Sequence, residues 1–186
     1  MVSVLSRRTE IILTAAAPLQ PRAACFVVGS ETLPAEVADS VASIQNKIKC
    51  DNSKTTLSGV PDVIAGATSF SSVNFKDSKQ TPLQFALSTF ATKSPLAASD
   101  LATFQNQLDV YLATEAGIRS VGGNLAIKVP KFFLEFQVSR IQTAQGNPPT
   151  DPGLDVVHLR DKVLKNAAGE SKALLDQVTA LATVLK

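Results

Sequence analysis

Between Leu101 and Ile141 the chain carries the pattern that most restricts its fold: two helix-length stretches joined at Gly122-Gly123. In the first, Leu101, Phe104, Leu108, Tyr111-Leu112 and Ile118 recur at the spacing of one helix face. In the second, Phe132, Phe133, Leu134, Phe136, Val138 and Ile141 cover most of the circumference. A helix with one apolar stripe lies on a surface, whereas one apolar nearly all round is enclosed by its neighbours. The pair therefore predicts a helical hairpin whose second arm is the centre of the protein.

The remaining elements are expected to pack around that arm. Pro34 and Glu36 suit a helix start, and Val37, Val41, Ile44 and Ile48 predict a helix running on to Cys50. Thr81-Pro82-Leu83-Gln84 has the residues of a capping box, with Leu83, Leu87 and Phe90 as its stripe and Ser94-Pro95 as its stop. Ser99 is expected to cap the first arm of the hairpin. Leu125 to Val129 suits a short extended link or a helical turn, Pro130 starts the second arm, and Gly146-Asn147-Pro148-Pro149 ends it. Val156, Leu159, Val163 and Ala167, then Leu174, Val178, Leu181 and Leu185, predict two more helices with a break at Gly169. The segment from Asp51 to Asp77, rich in Ser, Thr and Gly, reads as loop, with a short helix around Val60, Val63, Ile64 and Phe70. The fold expected is all-α: a single-domain helical bundle of five to six helices around a central helical hairpin.

The first residues have a different character. Arg7-Arg8, the apolar run from Ile11 to Ala17 and the small residues up to Ala23 follow the order of a secretory leader. Residues 1–22 are therefore expected to be leader and pro-segment, and 23–186 a single helical domain, secreted and extracellular. Three of the eighteen basic residues and one of the sixteen acids fall in that leader, so the remainder is electrically neutral. Neutrality and the lack of any Lys/Arg run argue against a nucleic-acid partner. No apolar run approaches the roughly 20 residues that cross a bilayer, so integral membrane association is not expected. Cys25 and Cys50 are the only cysteines. In an oxidising compartment, and without a Cys-x-x-Cys spacing, they are expected to form a structural disulfide.

The sequence groups few residues that could carry chemistry. The single histidine, His158, is two positions from Val156, about 200° round a helix, and so faces away from its apolar stripe. There is no phosphate loop, no nucleophile elbow, no metal-ligand spacing and no glycosylation sequon. No catalytic residue, metal or cofactor is expected, and the chain reads as a non-enzyme. One residue breaks pattern: Glu115 lies along the apolar line from Leu108 and Tyr111 to Ile118. It sits either at the stripe's edge, pairing with Arg119, or inward as a polar lock with Arg119 or with Arg140 of the opposite arm; the edge is preferred because buried acids are rare.

The run FQNQLDVYLATEAGIRSVGGNLAIKVPKFFLEFQVSRIQTAQG, from Phe104 to Gly146, resembles small secreted proteins of filamentous fungi. The Pro21-Arg22-Ala23 junction, the positions of Cys25 and Cys50 and the Gly59-Val60-Pro61-Asp62 turn are similar to that group as well. The resemblance implies a secreted fungal product and carries no assigned activity. Two functions are then expected. In the first, the protein acts outside the cell or at the cell wall by holding a lipid-like molecule, such as a fatty acid or sterol, between helices. Phe104, Leu108, Tyr111, Phe133 and Phe136 are its candidate contacts, although ordinary packing would use them equally. In the alternative it is an interaction protein or effector that binds a wall component or a host partner without a small ligand.

Overall fold

Gly122 takes a left-handed φ of 67° directly after the first arm of the hairpin, where a side chain would be strained. In chain order the elements are α1 (Ala35–Ile44), β1 (Ile48–Thr55), β2 (Pro61–Ala65), β3 (Thr68–Ser69), α2 (Pro82–Thr89), α3 (Leu101–Ser120), α4 (Lys128–Ala144), α5 (Val156–Asn166) and α6 (Lys172–Leu181), with short 3-10 turns between several of them. The computed structural model describes residues 24–186, so the leader and pro-segment expected at 1–22 lie outside the described residues.

The hairpin arms are α3 and α4, and α4 packs against α3, α5 and α2. Phe133, Leu134, Phe136 and Ile141 are fully enclosed, each such side chain contributing about 2 kcal/mol of burial. The start of α2 follows its sequence: Thr81 accepts from the Gln84 N–H, the Gln84 side chain returns to Thr81, and Pro82 occupies the first turn. At α3 the cap is Asp100, whose carboxylate accepts from the Ala102 N–H at 3.1 Å, and not Ser99. Ser99 instead accepts from the Lys93 N–H at 2.9 Å, closing the loop before the helix.

The all-α expectation is overturned by a three-stranded antiparallel sheet in the order β1-β2-β3. The helix predicted to run through Ile48 to Cys50 ends at Ile44. After a turn the chain pairs as β1, with Ile48 opposite Ala65 and Cys50 opposite Val63. The segment read as a loop with a short helix supplies β2 and β3. Pro61 takes the first strand position, where its missing N–H is harmless. Gly66 at φ 55° turns β2 into β3 through the two-residue loop Gly66-Ala67. Pro61, Asp62, Val63 and Ala65 are all buried, so β2 is covered on both faces, a state without the polar-apolar alternation that marks a half-exposed strand. Between Asp51 and Thr55 the β1 register slips, Asp51 facing Asp62 and Thr55 facing Pro61. The fold is mixed α and β, with the sheet laid against α3.

The N-terminal segment is fastened to the same helix. Phe26 is fully buried, and the Ser120 hydroxyl accepts from the N–H groups of Val28 (3.2 Å) and Gly29 (2.9 Å). Cys25 and Cys50 form a disulfide with their Cα atoms 6.2 Å apart, 25 residues apart in sequence. A loop of that size is worth about 3 kcal/mol in the chain-entropy account.

Candidate functional site

The first pocket lies at the outer face of the hairpin, between α1, α3, α4 and α5. It measures about 280 Å³ and includes Glu36, Glu115, Lys131, Phe132, Glu135 and Lys162 in its lining. Glu115 is only 3% exposed, so it lies inside and not at the edge of the stripe. Arg119 reaches its Oε1 at 2.8 Å, one helical turn on. The second countercharge comes from Lys131 on α4, at 3.3 Å from Oε2, and Lys131 also meets Glu135 at 3.4 Å. Two cations around one carboxylate offset the desolvation that makes a buried acid costly. The Lys131 ammonium lies 3.6 Å from the centroid of the Phe132 ring, adding a cation–π contact. Burial pushes the Glu135 carboxyl above the usual glutamate range, against the pull of Lys131 and Lys162. Each buried acid here already meets a cation, and the network ties α3 to α4.

Arg140 takes no part in that network. It lies about two and a half turns along α4 from Lys131, on the opposite face of the helix, 1% exposed. Its Nη1 donates to Gln137 Oε1 at 2.5 Å and its Nη2 to the Val184 carbonyl at 2.8 Å. Among the described residues no hydrogen-bond partner meets its Nε.

The five candidate ligand contacts are dispersed through the core. Phe133 and Phe136 are fully enclosed, their ring centroids 6.0 Å apart. Tyr111 lies between Phe70 and Phe90 at 5.1 and 5.7 Å, and its hydroxyl donates to the Val73 carbonyl at 2.7 Å. Phe104 is buried, and Leu108 lines a separate pocket with Lys47, Asp109 and Leu159. These side chains fill space that helices and sheet share.

A second candidate pocket opens between α2, α4 and α6. It has a volume of about 380 Å³, and Leu87, Ala91, Leu181 and Val184 form its apolar lining, with Gln137 and Gln177 among its polar residues. Gln137 is held from both ends of its amide: Nε2 donates to the Phe90 carbonyl at 2.8 Å, and Oε1 accepts from Arg140. The polar group facing the pocket is thus fixed before any ligand arrives.

A family model described as a domain of unknown function, DUF7143, matches residues 27–186. The chain belongs to the DUF7143 family. No curated protein and no solved structure matches it. The matched span of this DUF7143 domain starts just past Cys25, so the disulfide secures the span at its threshold. Among its described residues no three His, Cys, Asp or Glu side chains group to hold a metal, and no helix is long and apolar enough to cross a membrane. His158 is exposed on α5, as its spacing predicted.

Sequence reasoning missed Lys131, Glu135 and Gln137. Lys131 and Glu135 form an i,i+4 pair at the Phe132–Phe136 stretch, the most apolar part of the arm. That pair was a readable signal, because two charges at helical spacing inside such an arm need a partner across the hairpin, and Glu115 faces them. Gln137 carries no such signal. Its role depends on where the α2 terminus and the residues after α6 come to rest.

Proposed function

We propose that this DUF7143 domain is a small secreted, non-enzymatic protein that binds an apolar small molecule in the pocket between α2, α4 and α6. The observation that carries the reading is that pocket: about 380 Å³, with Leu87, Ala91, Leu181 and Val184 around a fixed amide. Ligand sites of drug-sized molecules begin at roughly 300 Å³ and pair an apolar lining with a few placed polar groups. The reading moves the ligand away from the aromatic arm, where Phe133 and Phe136 are needed by the core. Secretion is supported by the leader pattern and by the Cys25–Cys50 bond, which suits an oxidising compartment. The test is titration of the purified protein with a fluorescent fatty acid. Saturable binding that weakens in Leu181→Trp, with the circular dichroism spectrum retained, is expected. Absence of saturable binding at micromolar concentrations would overturn the proposal.

A further inference from the structure

We infer that the occupant of the α2–α4–α6 pocket is an anionic amphiphile, a long-chain carboxylate whose head group is held by Arg140. This rests on the pocket reading above and goes further by naming the head group. Arg140 is the largest fully buried side chain among the described residues, and no acidic side chain of theirs pairs with it. Lys131, the other buried cation, meets two carboxylates. A buried charge with only neutral partners is costly, and evolution of a stable core favours an apolar replacement unless the charge has a use. Burial brings the Arg140 guanidinium down to about 10, and the Phe136 ring, its centroid 5.5 Å from Cζ, is one more neutral partner.

Both groups that accept from Arg140 belong to residues of the pocket lining, Gln137 and Val184. The guanidinium therefore lies one side chain behind the apolar surface. The Val184 carbonyl lies beyond the last carbonyls of α6, so fastening the chain that follows this helix accounts for one of the guanidinium's bonds. Among the described residues this leaves Nε without a hydrogen-bond partner and the charge without an acidic partner. Val184 is 53% exposed and lies three residues past the last residue of α6. Displacing its carbonyl would open Nη2 and Nε together, the two-nitrogen edge that a carboxylate takes in bidentate fashion. The alkyl tail would then run over Leu87, Ala91 and Leu181.

The experiment compares lauric acid, dodecanol and dodecylamine binding to the full protein by calorimetry, at fixed low salt below their micelle concentrations. The acid is expected to bind roughly tenfold or more tighter than the alcohol, with the amine weakest. In Arg140→Met the acid's advantage over the alcohol is expected to vanish, and in Arg140→Lys to survive in part. Carbon NMR of carboxyl-labelled lauric acid on the wild-type protein gives a reading that needs no variant to fold: the bound carboxyl is expected to stay ionised below the pH at which a solvent-exposed head group protonates. Equal binding of acid and alcohol, or a bound carboxyl that titrates as if exposed, overturns the head-group assignment while leaving the pocket in place. Preference for the acid that persists in folded Arg140→Met overturns the role of Arg140. Binding of none of the three overturns the pocket reading itself.

Discussion

Gly117 of α3 faces the backbone of Phe26 so closely that a Cβ at this position would stand 2.5 Å from the Phe26 carbonyl oxygen. The same Cβ would meet the Val60 side chain at 2.6 Å. One missing side chain thus lets the N-terminal segment and the residue before β2 converge on a single turn of the central hairpin. Alanine has the higher helix propensity, worth nearly 1 kcal/mol in favour of the substitution. Backbone cannot retreat as a flexible side chain can, so overpacking wins here. Gly117→Ala is expected to destabilise the protein by about 1–3 kcal/mol, read as a lower urea midpoint at unchanged slope. An unchanged or raised midpoint would show that the segment at Phe26 shifts freely.

Removing Glu115 leaves Lys131 and Arg119 with one buried acid fewer between them. Glu115→Ala is expected to cost about 3 kcal/mol, against a few tenths for an exposed i,i+4 pair. The paired replacement Glu115→Leu with Lys131→Met is expected to cost less than the sum of the two single changes, since it removes charge and countercharge together. Strict additivity in denaturant unfolding would mean that the two side chains do not interact.

Glu135 supplies a pH signature with a definite sign. Its carboxyl is raised in the folded protein by burial, with Glu115 adding to the rise and Lys131 and Lys162 opposing it. The folded state therefore holds this proton to higher pH than the unfolded chain does. Between the ordinary glutamate value and the raised one, stability contributed by Glu135 falls as pH increases. Glu135→Gln cannot lose that proton. The difference in unfolding free energy between variant and wild type is expected to shift in the variant's favour across this window and level off above it. A difference that does not move with pH would refute the assignment.

The parts of this fold legible in advance are those decided by neighbours in sequence. The capping box at Thr81 and the turn at Gly122 depend on local backbone geometry, and the stripes of α3 and α5 on helical period alone. What escaped depends on partners far along the chain. Ile48 continues the α1 stripe perfectly well, and becomes a strand residue only because Ala65 pairs with it. Val63 and Ile64 show no alternation because elements cover both sides of β2. The general scarcity of buried acids argues for an edge position at Glu115, and the residue that lets it be buried, Lys131, lies on the other arm. The proposed ligand pocket was the least legible feature. Its lining comes from three helices, and the residues after α6 complete it.

The slip in register along β1 bears on how these molecules treat one another. β1 is a border strand, and among the described residues its outer side has no partner within the sheet. A long, regular, apolar border would recruit a second chain and seed aggregation. Here the strand runs from Asp51 into Asn52-Ser53-Lys54-Thr55, exposed from Asn52 onward, exactly where the ladder loses its spacing. An incoming strand would find hydrogen-bonding groups out of step and a lysine in its path. Crowded copies of this protein are thereby expected to resist strand-to-strand assembly, the route by which many sheet-bearing proteins are lost at high concentration.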